Sequence, residues 1–203
     1  SLKVEELSNE KIVFTHDIDN YKFKGISLCV VFSGNEAEKE QLISCLHHIS
    51  ASVKFANVDN FEVIISGPSQ FNPSSLNKKF PELKIKYTQF DNIVSNGRIL
   101  ISDKKNHLFK ESKFDAVVIL HTRIFILKDF IKKVLNLKFD LFAPNVFIEK
   151  DNKRFPYISF QLINKNITKG KKILNTSHFG NKYLSFLNQK TPYIDGGIIV
   201  MNK

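Results

Sequence analysis

The sequence predicts a three-layer α/β domain with a mainly parallel central sheet, and three observations carry that expectation. Continuous apolar runs rich in β-branched residues recur at ISLCVVF (Ile26–Phe32), FEVIIS (Phe61–Ser66) and FDAVVIL (Phe114–Leu120), as strands covered on both faces require. Segments with helical apolar spacing separate them. Alternation of strands and helices calls for right-handed crossovers, which place ligands at the carboxyl ends of the strands.

Taken in order, residues 1–25 form a polar leader without clear periodicity, and residues 26–203 form the domain. After the first strand, Ser33 or Asn35 is placed to cap a helix over Glu36–His48, where Leu42, Cys45, Leu46 and Ile49 recur on one side. The break GPSQFNPSS ends the second strand. A short helix over Leu76–Phe80 then leads to a third strand at LKIKYTQF. A second long helix is predicted over Asn96–Lys110, with Gly97, Ile101, Lys104 and Leu108 on one side. The strand Phe114–Leu120 follows, then a helix over Lys128–Leu137 and the segment FDLFAPNVFIE, a strand pair or bent strand interrupted by Pro144. FPYISFQLIN, a Lys-rich connector and a helix near Lys182–Leu187 lead to YIDGGIIVMN, which ends in a strand.

Composition narrows the class. With 203 residues and 42% hydrophobic content the chain can bury one sizeable core, and no stretch approaches the roughly 20 apolar residues that cross a bilayer. Cys29 and Cys45 have no neighbouring Cys or His to complete a zinc set and read as buried thiols in a reducing compartment. SLKVEELSNEK lacks the basic start and apolar core of a signal peptide, so the expected location is the cytoplasm, with or without membrane association. The net charge of +10 is spread over scattered lysine pairs, unaccompanied by a helix-turn-helix, zinc-finger or aromatic RNA-binding pattern. Nucleic acid is therefore disfavoured as a partner. An anionic membrane surface or a sugar nucleotide would use the same field.

The third predicted central strand raises a more specific question, because it runs directly into His121, Thr122 and Arg123. A turn needs only Gly, Asn or Pro, so three large polar groups at a carboxyl end point to a ligand. Ser33-Gly34-Asn35 and Ser66-Gly67-Pro68 end the other two strands. Capping and turn chemistry also accounts for Ser33, Asn35 and Ser66, and a solvated helix face accounts for Lys104 and Lys105.

The order of these motifs resembles the nucleotide-sugar-binding half of bacterial family 2 glycosyltransferases of the GT-A fold. SNGRILISDKKNHLFKESKFDAVVILHTRI is similar to a branch whose helix carries a Lys-Lys-Asn motif and whose metal strand ends in His-Asp instead of Asp-x-Asp. The resemblance runs from Ile26 to Asn202 and is most specific between Gly97 and Ile124. It implies a nucleotide-sugar site formed by Ser33, Asn35, Ser66, Lys104, Lys105, Asn106, His121, Thr122 and Arg123. It also implies an acceptor side at Gly196 and Gly197, with Asp195 as the best remaining carboxylate for a catalytic base.

The departures bear on the chemistry. Where the family places acids after the second strand, this chain has Ser66-Gly67-Pro68. Where the branch has Asp after His121, it has Thr122, a neutral hydroxyl that is a poor sole ligand for Mg²⁺ or Mn²⁺. A divalent metal is therefore disfavoured, with a neighbouring acid such as Asp195 or Asp91 as the alternative source of charge, and Thr122→Asp is expected to increase the metal-dependent part of binding. Arg123, Lys104, Lys105 and His121 would instead meet the charge on a departing diphosphate.

The leading functional reading is a glycosyltransferase that moves a sugar from a nucleotide-sugar donor to a glycan or lipid-linked acceptor in surface polysaccharide synthesis. The first alternative is a non-catalytic GT-A-like binding or scaffolding module. The second is a basic nucleic-acid-binding domain. In the resembled family the acidic pair that supplies the base lies farther on, so the chain is expected to be truncated at its C-terminus.

Overall fold

A computed structural model of the chain describes residues 3–7, 11–15, 23–91, 94–95, 98–99, 101–137, 139–142, 144, 146–147, 150, 152, 154–155, 158–162, 172–175, 190–194 and 197–203. Its contacts divide into two compact units, Asn20–Leu141 with Ile198–Lys203, and Ser1–Asp19 with Phe142–Gly197.

The smaller unit opens with β1 (Lys3–Leu7) and β2 (Lys11–Thr15), an antiparallel hairpin in the stretch for which no periodicity was expected. The larger unit then runs β3 (Ile26–Val31), α1 (Glu36–Ala56), β4 (Phe61–Gly67), α2 (Ser74–Lys79), β5 (Ile85–Gln89), β6 (Val94–Ser95), β7 (Arg98–Ile99), α3 (Ile101–Glu111), β8 (Ala116–His121) and α4 (Phe130–Leu135). The strand β9 (Leu141–Phe142) comes next, and on the far side of Pro144 β10 (Val146–Phe147) pairs with β11 (Arg154–Phe155). In the smaller unit β12 (Ile158–Leu162) lies between β13 (Lys172–Asn175) and β14 (Lys190–Ile194), antiparallel to both. The last strand, β15 (Ile198–Asn202), belongs to the larger unit. The helix expected near Lys182–Leu187 lies outside the described residues.

The larger unit has the expected α/β fold. Its six-stranded sheet has the order β5-β4-β3-β8-β15-β9. The first four strands are mutually parallel, and β15 pairs antiparallel with β8. The three apolar runs are thus neighbours, and every residue of β3 is buried because β3 lies inside the sheet with helices on both faces. The helices α1 and α3 cross in opposite directions along the sheet, so right-handed connections place them on opposite faces. The α3 face is packed by Cys29, Val31, Ile64, Leu108, Val117 and Ile119. Leu108 is fully buried there, which contributes roughly 1.5–3 kcal/mol.

Three boundaries differ from expectation for physical reasons. The helix α1 continues past His48 to Ala56 because Ile49, Ser52 and Val53 extend its buried stripe. It ends where Asn57 turns left-handed (φ 49°) and donates its N–H to the Lys54 carbonyl. The helix α3 starts at Ile101 instead of Asn96, because Val94–Ser95 pairs with Arg98–Ile99 across an Asn-Gly dipeptide, the favoured sequence of a two-residue hairpin. The predicted helix Lys128–Leu137 is reduced to Phe130–Leu135, held by the buried Ile131 and Val134.

Candidate functional site

Register brings the strand ends together. Val31 of β3 pairs with Ser66 of β4 on one side and with His121 of β8 on the other, and Ser66 pairs in turn with Thr88 of β5. Cross-strand partners share a face, so Thr88, Ser66, Val31 and His121 form one row on the α3 side, at the carboxyl edge of the parallel strands. The loops beyond the row pack tightly. Gly34 has φ +91°, and a Cβ there would overlap the Pro68 ring. A Cβ at Gly67 would overlap the Tyr87 hydroxyl, which donates to the Pro68 carbonyl at 2.8 Å. Gly34 is required by the close approach of the loops after β3 and β4, and Gly67 by the close approach of β5.

Two polar atoms in the row are buried with no hydrogen-bond partner among the described residues, Ser66 Oγ and His121 Nε2. A buried orphan of this kind costs about 1–3 kcal/mol, so a partner at this edge would be favoured. Above the row, the Lys104 Nζ of α3 donates to the Phe32 carbonyl at 3.0 Å, and Lys104 is only 3% exposed. Burial lowers the Lys104 pKa, while the Glu38 and Asp91 carboxylates act in the opposite sense. Lys105 is lowered by burial and then by Arg123. His121 is pushed down to about 4, first by burial and then by Lys105 and Arg123, with Glu38 opposing. The imidazole is therefore neutral at ordinary pH, between two cations that each disfavour its protonation. A bound anion would reverse that field.

The remaining predicted residues divide between scaffold and site. Asn35 is the helix cap, its Oδ1 accepting the Glu38 N–H at 2.9 Å and its Nδ2 donating to Ser33 Oγ at 2.7 Å. Glu38 in turn accepts the Ser33 N–H at 2.8 Å. Asn106 and Arg123 are exposed. Thr122 points the other way: it is 2% exposed, and its hydroxyl donates to Gln41 Oε1 of α1 at 3.4 Å. Gly197 is a buried turn residue directly before β15, and Asp195 and Gly196 lie outside the described residues. Glu38 is absent from the predicted site, and Asp91 enters it only as an alternative acid for a metal. The first follows the cap in the pattern Asn-x-x-Glu, which is a capping-box signal. The second accepts from the Ser69 backbone and hydroxyl at 2.9 and 3.1 Å, which holds its carboxyl below the usual range.

These donors do not fit a divalent metal. Among the described residues no three His, Cys, Asp or Glu side chains converge. The Thr122 hydroxyl is turned to α1, so an aspartate there would lie beside Gln41 and away from the row, which corrects the expectation for Thr122→Asp. The thiols are equally unsuited to chemistry, since burial pushes Cys29 and Cys45 up to about 12. A hollow of about 340 Å³ lies elsewhere, lined by Phe23, Lys24, Asn57, Asp59, Lys132 and Asn136 among others. It adjoins the C-terminal ends of α1 and α4, whose carbonyls disfavour an anion. The carboxyl-edge row is the better candidate.

No protein-family model matches the sequence. No curated protein matches it either. Solved structures with a similar backbone include TarS 1–349 of S. aureus in complex with UDP-GlcNAc, at 14% identity and TM-score 0.40 over 54% of this chain and 29% of that one. The mannosyltransferase PcManGT of Pyrobaculum calidifontis, in complex with GDP-Man and Mn²⁺, aligns at 14% identity and TM-score 0.40 over 57% of this chain and 33% of its own. The apo glycosyltransferase GlyE of Streptococcus pneumoniae TIGR4 aligns at 11% identity and TM-score 0.42 over 88% and 34%. The chain spans about a third of the length of each. Similarities at this level do not assign a function.

Proposed function

We propose that the chain is a glycosyltransferase domain that holds the diphosphate of a nucleotide-sugar donor at the carboxyl edge of β3, β4 and β8 and passes the sugar to a glycan or lipid-linked acceptor in surface polysaccharide synthesis. The observation that carries this reading is the grouping of Lys105, Arg123 and a neutral, half-buried His121 around an edge where Ser66 Oγ and His121 Nε2 have no hydrogen-bond partner among the described residues. Displacement of a nucleoside diphosphate from an anomeric carbon builds negative charge on the leaving phosphate. Preorganised cations and donors stabilise that charge most where water is excluded. In this reading Arg123 and Lys105 meet the diphosphate and His121 donates or accepts one hydrogen bond. Lys104 acts from behind, holding the loop after β3 to α3. Ser33 and Ser66 line the nucleoside side, and Asn35 shapes the loop that carries them. Asn106 lies at the outer rim. Asp195 serves as base, with Gly196 and Gly197 toward the acceptor.

A second reading, a non-catalytic binding module of the same fold, is favoured by one observation: Thr122 directs its hydroxyl to Gln41 of α1. Calorimetric titration with uridine and guanosine diphosphates and their sugars, in chelator, tests both. Micromolar to millimolar binding weakened by about 1.5–3 kcal/mol in Arg123→Ala supports the site. Release of nucleoside diphosphate from a bound donor separates enzyme from module. No binding by the folded native chain would overturn both readings.

A further inference from the structure

The segment between β8 and α4 alternates in burial in an unusual way. Ile124 and Ile126 point inward and are buried, yet their outward neighbours are also apolar: Leu127 is 71% exposed and Phe125 38%. A segment covering a core needs only one apolar face. These outward side chains continue along α1. His48 stacks on Phe125 with ring centroids 5.1 Å apart, and one turn-pair further along α1 stands Phe55, 46% exposed. The ammonium groups of Lys128 and Lys132 lie 5.5 and 5.8 Å from the Phe55 ring centroid. The nearby acid Asp129 is already paired with Lys133 at 2.7 Å. The result is a strip of large apolar groups edged by lysines.

We propose that this strip is a docking surface for an anionic lipid membrane. Each part of it has a use there. Exposed Leu and Phe side chains enter the boundary between headgroups and acyl chains, and flanking lysines meet anionic headgroups while their stems lie on the apolar surface. A nucleic acid would engage the lysines and leave Leu127 in water. A second copy of the chain would set the same lysines against each other. A neutral bilayer would leave the lysines without partners. The inference does not rest on the carboxyl-edge site, although Arg123 precedes Phe125 closely enough that a membrane at the strip would lie beside it.

Sedimentation of the full chain with vesicles tests the proposal. We expect partitioning onto vesicles of phosphatidylcholine containing about a third phosphatidylglycerol, weak partitioning onto phosphatidylcholine alone, and loss of binding as salt rises. Leu127→Ser should lower partitioning severalfold, and Leu127→Ser with Phe125→Ser by about tenfold or more. Lys128→Gln with Lys132→Gln should lower it by about tenfold, because each lysine near an anionic surface contributes a few-fold. Unfolding midpoints should change little for Leu127→Ser, whose side chain stands in solvent. Equal binding to neutral and anionic vesicles would overturn the proposal, as would vesicle binding that Leu127→Ser and the double variant leave unaltered. Binding to a single-stranded oligonucleotide that displaces the chain from vesicles would assign the strip to nucleic acid instead.

Discussion

Lys104, in the first half of α3, reaches across the carboxyl edge to donate to the main-chain oxygen of Phe32 at 3.0 Å. The bond links the helix to the loop that leaves β3. Both partners are buried, so neither can exchange the other for water without opening the edge. Lys104→Met keeps the apolar stem and deletes the donor, which strands a buried carbonyl. We expect a loss of about 1–3 kcal/mol in denaturant unfolding. A variant as stable as the native chain would show that the bond contributes nothing net. Because burial lowers the Lys104 pKa, the unfolded chain binds this proton more tightly, and stability should rise as pH increases through the interval between the lowered value and 10.5.

Gly34 and Pro68 are in contact across the first two loops, with Gly34 at φ +91°. Gly34→Ala combines an unfavourable backbone angle with a clash against a ring that has little room to move. A destabilisation of about 1–3 kcal/mol is expected, together with weaker nucleotide binding if the loop forms one wall of the site. Thermal unfolding of the variant beside Gly67→Ala checks this contact and that of Gly67 with Tyr87. A Gly34→Ala protein with native stability would mean that the loops separate readily.

His121 should leave a signature in the pH dependence of stability. Its pKa is about 4 in the folded chain against an ordinary 6.5. Between those values the unfolded chain carries the proton and the folded chain does not, so stability falls as pH drops from about 6.5 to about 4 and is insensitive to His121 above that window. The full effect is at most on the order of 3 kcal/mol. Comparing the native chain with His121→Gln by denaturant unfolding across this range isolates it. Identical slopes in the two proteins would contradict the placement of His121. A bound diphosphate should raise the pKa, and titration of the imidazole by NMR with and without nucleotide reads that shift directly.

Thr122 and His121 are adjacent, yet they face opposite layers, one toward Gln41 of α1 and the other into the edge. Thr122→Asp therefore buries a carboxylate beside an amide and should cost about 1–3 kcal/mol while creating no metal dependence. Nucleoside diphosphate affinity in the native chain should agree within a factor of about three between chelator and Mn²⁺. A large enhancement by Mn²⁺ that increases further in Thr122→Asp would show that residue 122 faces the ligand after all.

Local signals in the sequence determined the central strands and the first helix of the larger unit. The β-branched runs of β3, β4 and β8 left no alternative period, the helical stripe of Leu42, Cys45, Leu46 and Ile49 marked α1, and the pair Ser33 and Asn35 marked its start. Their alternation implied parallel neighbours with a polar carboxyl edge, which made Ser66 and His121 legible as candidates. Tertiary structure alone decided what the polar residues do there. Whether His121 or its neighbour enters the edge depends on the register of β8 against β3, because successive residues of a strand face opposite layers. Lys104 falls on the apolar stripe of α3, and the position of the Phe32 carbonyl gives its ammonium group a partner. The Asn-Gly dipeptide between Ser95 and Arg98 suits a hairpin turn or a weak helix start, and strand pairing settled its neighbours as a hairpin. Periodicity and caps act over a few residues, whereas the facing of a side chain and the partner of a buried charge are set by segments far apart in the chain.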